Sequence, residues 1–253
     1  MGKKMQIRRS RNALIYMAGG GLLIVALLIF GISVFLRVIE IEVTGVTKYT
    51  KGEIVEASGI LSGDNILLLD TAAAELKIRQ ALPYIDEVSV QPSLPARIQI
   101  TVSESRAVAV IDHRNTILLI DSSGKVLDRL DSAPRGFIEI RGFTPLEAEV
   151  GSRIRPMSGA ETQLRSLTDV LSAFEGAGVL SEITYLDVTH ISTISFGYTA
   201  RFTVIIGGSA NVSHKLNQLP VFIRMIEEEK PSEVTGVINM SDSSGEWIFT
   251  EER

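Results

Sequence analysis

A chain of 253 residues with no cysteine has room for one large or two small domains beside a membrane segment, and it forms no disulfide, thiolate centre or cysteine-based metal site. Its formal charge of −5 is unevenly spread: residues 1–37 hold Lys3, Lys4, Arg8, Arg9, Arg11 and Arg37 and no acid, which leaves 19 bases against 30 acids, a net −11, in residues 38–253. An acidic body of this kind repels the phosphate backbone and releases few counterions, so nucleic acid is excluded as a partner.

Residues 1–11 form a short basic tail, and from Asn12 to Leu36 no side chain is charged. As a helix rising 1.5 Å per residue that stretch spans about 37 Å, more than the roughly 30 Å hydrocarbon core of a bilayer. A buried helix of a globular domain is usually shorter and amphipathic, whereas this run is apolar all round. Five bases precede it and Arg37 alone follows it, which predicts a cytoplasmic N-terminus and an extracytoplasmic body. A cleaved signal peptide shares the basic-then-apolar start, but its apolar core is about 7–15 residues long and ends at a small-x-small site. Here the run continues through Val34, Phe35 and Leu36, so an uncleaved signal anchor over 12–36 is expected. Gly19, Gly20 and Gly21 lack a second small residue at the spacing of a strong helix-association motif.

The alternating Val38-Ile39-Glu40-Ile41-Glu42-Val43 predicts a strand, turned at Thr44-Gly45. Thr50 is placed to cap a short helix through Ile54 and Val55 that ends near Ser58-Gly59. Asp70 is placed to cap a second helix from Thr71 to Leu82, stopped by Pro83. Strands follow at Glu87–Val90 and, after Pro92 and Pro95, at Ile98–Val102. The order is strand, helix, helix, strand, strand, an α+β unit with helices on one sheet face. Its expected core is Ile41, Val43, Ile54, Leu76, Val88, Val90, Ile98 and Ile100.

Taken in this order behind an anchor, the patches Thr44-Gly45-Val46, Gly63 to Asp70, Leu82-Pro83-Tyr84-Ile85, Val88-Ser89-Val90, Pro95 to Ile100 and Val102-Ser103-Glu104 resemble the POTRA domain of the FtsQ/DivIB family of bacterial division proteins. The resemblance implies a POTRA domain over 37–105 and a second β-rich α+β domain over 106–253 that ends in edge strands. Proteins of that family usually carry a proline two or three residues after the glutamate, and this chain has Ala107 there.

The second domain opens with a predicted meander: Ala107–Ile111, a turn at Asp112–Asn115, Ile117–Ile120, the turn Asp121-Ser122-Ser123-Gly124, and Lys125–Leu127. Leu119 to Val126, and Glu139-Ile140-Arg141-Gly142 after it, again resemble FtsQ/DivIB. Leu164, Leu167, Val170, Leu171 and Phe174 fall at helical spacing, which predicts a helix from about Ala160 to Ala173. Strands near Glu182–Val188 and Arg201–Ile206 follow, and after Gly207-Gly208 a helix carries Lys215, Leu216, Leu219, Phe222, Ile223 and Ile226. Pro220 inside it predicts a kink or a break. The chain closes with a Val237-Ile238-Asn239-Met240 strand, a polar turn and Gly245 to Thr250.

Candidate chemistry is sparse. Ser122-Ser123-Gly124-Lys125 fits S-x-x-K, a nucleophile motif that needs a helix start, yet here it fills a turn between strands and no K-T-G follows. His113, His190 and His214 are too dispersed for a metal site and read as surface or partly buried residues. Asp121 and Asp187 end strands, where aspartates usually satisfy turn amides. Glu227-Glu228-Glu229 reads as a solvated helix end, and the sequons at Asn211 and Asn239 carry little weight. The expectation is a protein that is not an enzyme and has no cofactor, catalytic residue or metal. A membrane-anchored wall hydrolase would need a nucleophile, base or metal cluster, and a POTRA-type chaperone generally has several POTRA units or a barrel.

What the resemblance implies instead is a divisome scaffold enriched at the septum. Its implied partners are bitopic proteins of the FtsL and FtsB/DivIC kind, and through them it would help regulate septal wall synthesis. The partner of the FtsB/DivIC kind is then expected on the final strands, at Val237, Asn239, Gly245, Trp247 and Phe249. Trp247 is the only tryptophan; it projects with Phe249 to one strand face and Ile248 to the other, so both faces offer apolar area.

Overall fold

The computed structural model describes residues 11–45, 48–229, 234–242 and 246–252. Arg11–Phe35 form one continuous helix, α1. Among the described residues no helix is long and apolar enough to cross a membrane. Residues 16–27 of α1 are all exposed. The helical backbone itself extends over 25 residues, and its sequence carries no charge after Arg11.

The chain divides into two compact units, one made of residues up to Ile78 with Glu87–Ser103 and the other of Arg79–Asp86 with Glu104–Arg253. The first is built on a three-stranded sheet of β1 (Glu40–Thr44), β2 (Ile85–Ser93) and β3 (Arg97–Glu104) in the order β1-β3-β2. β1 runs parallel to β3, with Ile41 opposite Ile98 and Val43 opposite Ile100. Two helices are set by local chemistry. α2 (Lys51–Ser58) starts in a capping box in which the Thr50 hydroxyl accepts from the Glu53 amide and the Glu53 carboxylate accepts from the Thr50 amide. It stops at Gly59, whose φ of 70° is the left-handed conformation that glycine adopts without Cβ strain. α3 (Thr71–Ala81) starts where the Asp70 carboxylate accepts from the Ala73 amide at 2.9 Å.

Val43, Ile54, Val88, Val90, Ile98 and Ile100 are buried as the sequence predicts, and Ile41 is half-buried. Leu76 is not: it is 50% exposed. α3 turns Ala74 and Ile78 inward, and those positions, four apart, share a face that leaves the residue midway between them on the outside.

The second unit is a single nine-stranded sheet with two helices on one face. Its strands are β4 (Ala109–His113), β5 (Thr116–Ile120), β6 (Val126–Leu130), β7 (Ile138–Arg141), β8 (Ile183–Asp187), β9 (Ile194–Tyr198), β10 (Phe202–Gly207), β11 (Gly236–Asn239) and β12 (Ile248–Glu251). They lie in the order β12-β11-β10-β9-β8-β7-β4-β5-β6. β7 and β8 are parallel and joined by α4 (Glu161–Ala177), and β10 and β11 are parallel and joined by α5 (Val212–Glu229). The two crossover helices pack against each other, and their apolar stripes share one core with the facing strand residues, including Phe174 edge-on to Phe196 at 4.9 Å. α5 continues through Pro220, which lies on its exposed side, while Leu216, Leu219, Ile223 and Ile226 are buried. The missing N–H of Pro220 therefore falls on the solvent side, where the freed carbonyl can be hydrated, so the helix does not break there.

Candidate partner-binding edge

The end of the chain is fastened to the second unit from below. The Arg201 guanidinium pairs with Glu227 of α5 at 2.7 Å and donates to the Val234 carbonyl at 3.2 and 3.3 Å, which fixes the return of the chain from α5 into β11. β11 then lies parallel to β10, with Phe202 opposite Gly236 and Val204 opposite Ile238. β12 returns antiparallel on the outer side of β11, pairing Gly236 with Glu251, Val237 with Thr250, Ile238 with Phe249 and Asn239 with Ile248. Gly236 is needed for close approach: a Cβ there would meet the Thr250 carbonyl oxygen and come within 2.8 Å of the Phe249 ring.

Two edge-on ring contacts hold this last strand down. Phe249 meets Phe202 of β10 with centroids 6.2 Å apart, and Trp247 meets Phe222 of α5 at 5.6 Å. Both residues are half-buried against the core of the unit. Ile248, on the opposite face, is 62% exposed. Beside Trp247 opens a cleft of about 240 Å3 lined also by Asn211, His214, Lys215 and Asp242. Lys215 leans across it to donate to the Ile206 carbonyl at 2.6 Å, and burial holds its ammonium pKa below the usual lysine value, against the opposing pull of Asp242.

The residues singled out in the sequence thus fall on two strands. Trp247 and Phe249 sit at or beside the outermost strand, while Val237 and Asn239 lie one strand in, paired on both sides. The Asn239 carboxamide is also engaged locally, accepting from the Ser241 amide at 3.0 Å and from its hydroxyl at 2.6 Å. Gly245 lies outside the described residues. Sequence reasoning omitted Gly236 and Phe222 from the site. Their only signals were a glycine opening a strand and a phenylalanine among ordinary apolar positions of a helix.

The other candidates resolve into structure. Asp121, buried, accepts from the Ser123 amide and hydroxyl and from the Lys125 amide at 2.8 to 2.9 Å, so the S-x-x-K string is a hydrogen-bonded turn. The Ser122 hydroxyl donates to Glu175, and the Lys125 ammonium to the Ile85 carbonyl, so serine and lysine have separate partners. Asp187 likewise accepts from the Thr189 amide and hydroxyl; burial opposes its ionisation, yet those bonds and Arg141 keep its pKa below the usual value. His190 and His214 are exposed, but His113 is buried with no hydrogen-bond partner at Nδ1.

Residues 36–105 match the family model of the FtsQ-type POTRA domain, which defines a POTRA-domain protein with a sheet-and-helix body behind it. The relatives fit the same class. FtsQ of Streptomyces bingchenggensis is 26% identical over 92% of this chain and 86% of its own length. DivIB of Clostridium acetobutylicum is 27% identical over 79% and 78%, and FtsQ of Corynebacterium glutamicum 31% over 51% and 60%. The extracytoplasmic domain of DivIB from Geobacillus stearothermophilus aligns at a TM-score of 0.32 and 12% identity, over 51% of this chain and 98% of that one, a likeness too slight to argue from. The chain thus carries an FtsQ-type POTRA domain and is similar along most of its length to FtsQ and DivIB cell division proteins.

Proposed function

We propose that this division protein is a non-enzymatic scaffold of the septal membrane, with α1 as an uncleaved anchor, the N-terminus in the cytoplasm and both units outside. The anchor reading rests on 25 helical residues without charge after Arg11 and on the bases that precede them. In this reading the body holds bitopic proteins of the FtsL and FtsB/DivIC type and acts on septal wall synthesis through them.

The observation that carries the reading is the end of the large sheet. β12 is its outermost strand, ring contacts fasten it on one face, and it presents Ile248 to solvent on the other. A partner segment adding a strand beside β12 gains main-chain hydrogen bonds, and side-chain pockets such as the cleft at Trp247 supply selectivity. Val237 and Asn239 contribute from the second row, through the exposed sheet face. A fluorescent protein fused to the N-terminus tests the role: it should form a midcell band and co-purify with the small bitopic partners, whereas a uniform envelope signal without those partners contradicts it. A reporter active only outside the cytoplasm, fused after Arg253, should be active if the topology is right.

A further inference from the structure

Outside α1, and apart from Leu76 on α3, the exposed large apolar side chains of the first unit lie on neighbouring segments. Ile39, Leu61, Leu67, Leu68 and Leu94 all stand open, Leu68 at 82%. They sit on three chain segments tied together directly beyond the end of α1. The Leu36 carbonyl, one residue past the helix, accepts from the Ile66 amide at 2.9 Å, and Arg37 bridges to Asn65. The Val38 amide donates to Asp64 and its carbonyl accepts from Gly63, both at 2.8 Å. One residue later the Ile39 amide donates to the Ala96 carbonyl at 2.8 Å, which brings in the β2–β3 turn that carries Leu94. Ile39, Leu94 and Pro95 also line a common cleft.

The geometry points to a membrane-seated end of the POTRA domain, in which Leu67, Leu68, Leu61, Leu94 and Ile39 rest in the headgroup and upper acyl region of the lipid surface around the anchor. The inference depends on the reading of α1 as a membrane anchor. If α1 ends at the bilayer surface, segments hydrogen-bonded to residues 36–39 lie within the interfacial layer, which is several ångströms deep on each side of the hydrocarbon core. Leucines held there gain by leaving water, and the arrangement is that of an interfacial apolar patch built from loops. Exposed Arg37, in the same layer, suits anionic headgroups. The occupant is lipid because the segments that carry the patch are hydrogen-bonded to the residues that directly follow α1. The consequence is a POTRA domain whose tilt is set by the bilayer as well as by the single covalent connection.

Because the chain has no cysteine, one environment-sensitive fluorophore can be placed at a time on the full protein. The labelled sites are Leu67→Cys, Leu68→Cys and Leu94→Cys, with Ile24→Cys in α1 and Glu87→Cys as references. Glu87 lies at the far end of β2, about 23 Å along the strand from Leu94. The protein is reconstituted into phosphatidylethanolamine and phosphatidylglycerol vesicles with or without bromine on the acyl chains. Positions 67, 68 and 94 should shift to the blue and lose emission in brominated lipid, together with position 24, while position 87 does neither. Quenching at 24 with none at 67, 68 and 94 overturns the inference alone. A blue shift at those three sites without quenching means that a protein covers them, which also overturns it. An unquenched position 24 removes the anchor reading and this inference with it.

Discussion

The two borders of the nine-stranded sheet are finished in different ways. At β6 the chain covers its own edge: the Val126 amide donates to Ser152 at 2.9 Å, the Val126 carbonyl accepts from Gly151 at 2.8 Å, and the Arg129 guanidinium donates to the Ala148 carbonyl at 2.7 Å. A bridge between Lys125 and Arg153 continues the cover. At β12 no described strand lies beyond, the strand is four residues long, and its core-facing rings are held while Ile248 is left out. A sheet whose borders both recruit partners risks indiscriminate pairing, so a loop that closes one leaves association to the other. Under the proposed function, β6 is the edge closed for stability and β12 the edge left for binding.

Substitutions that move stability and binding separately sharpen that contrast. Ile238→Ala empties a fully buried position of β11 beneath β12 and should cost about 2–5 kcal/mol in denaturant melts, with partner binding lost as β12 loosens. Val126→Ala at the covered edge should cost about 2 kcal/mol and leave binding intact. Gly236→Ala forces a methyl against the Thr250 carbonyl and the Phe249 ring, so a loss of about 1–3 kcal/mol is expected, together with weaker co-purification of the partner. If Val126→Ala abolished binding in a folded protein, or Gly236→Ala left it untouched, the division of labour between the edges would be wrong.

A smaller effect distinguishes the covered side by pH. Burial, reinforced by Arg114 and Arg129 and opposed by Asp112, holds the His113 imidazole pKa below its usual value. The unfolded chain therefore takes up this proton first, so stability is full above about pH 6.5 and declines as pH falls through that value toward the lower folded pKa. His113→Gln should flatten the fall in melting temperature over that window; an unchanged slope would show that other groups govern it.

How far the sequence discloses this structure depends on whether the cause is local. The Thr50 cap, the Gly59 stop and the Asp70 cap are legible because each is settled within a few residues. Leu76 misleads: its helix has apolar residues on two sides, and only tertiary packing decides that Ala74 and Ile78 go in. β9 escapes notice because Gly197 interrupts it and its flanks are polar, yet Gly197 is there because a Cβ would strike Thr184 and the Tyr185 ring on the neighbouring strand. The exposed site shows the same limit. Trp247 stands out as a lone tryptophan beside the terminal strand, but that β12 lies outside β11, placing Val237 and Asn239 in the second row, depends on pairings that no local pattern records.

The most direct measurement is backbone hydrogen exchange on the full chain in lipid nanodiscs, with and without a bitopic partner of the FtsB/DivIC type. Amides of residues 248–251 should slow on binding while those of residues 126–130 keep their rates, since one edge receives a strand and the other is already covered. A bound partner that leaves 248–251 unchanged, or protects 126–130 instead, would contradict β12 as the binding edge.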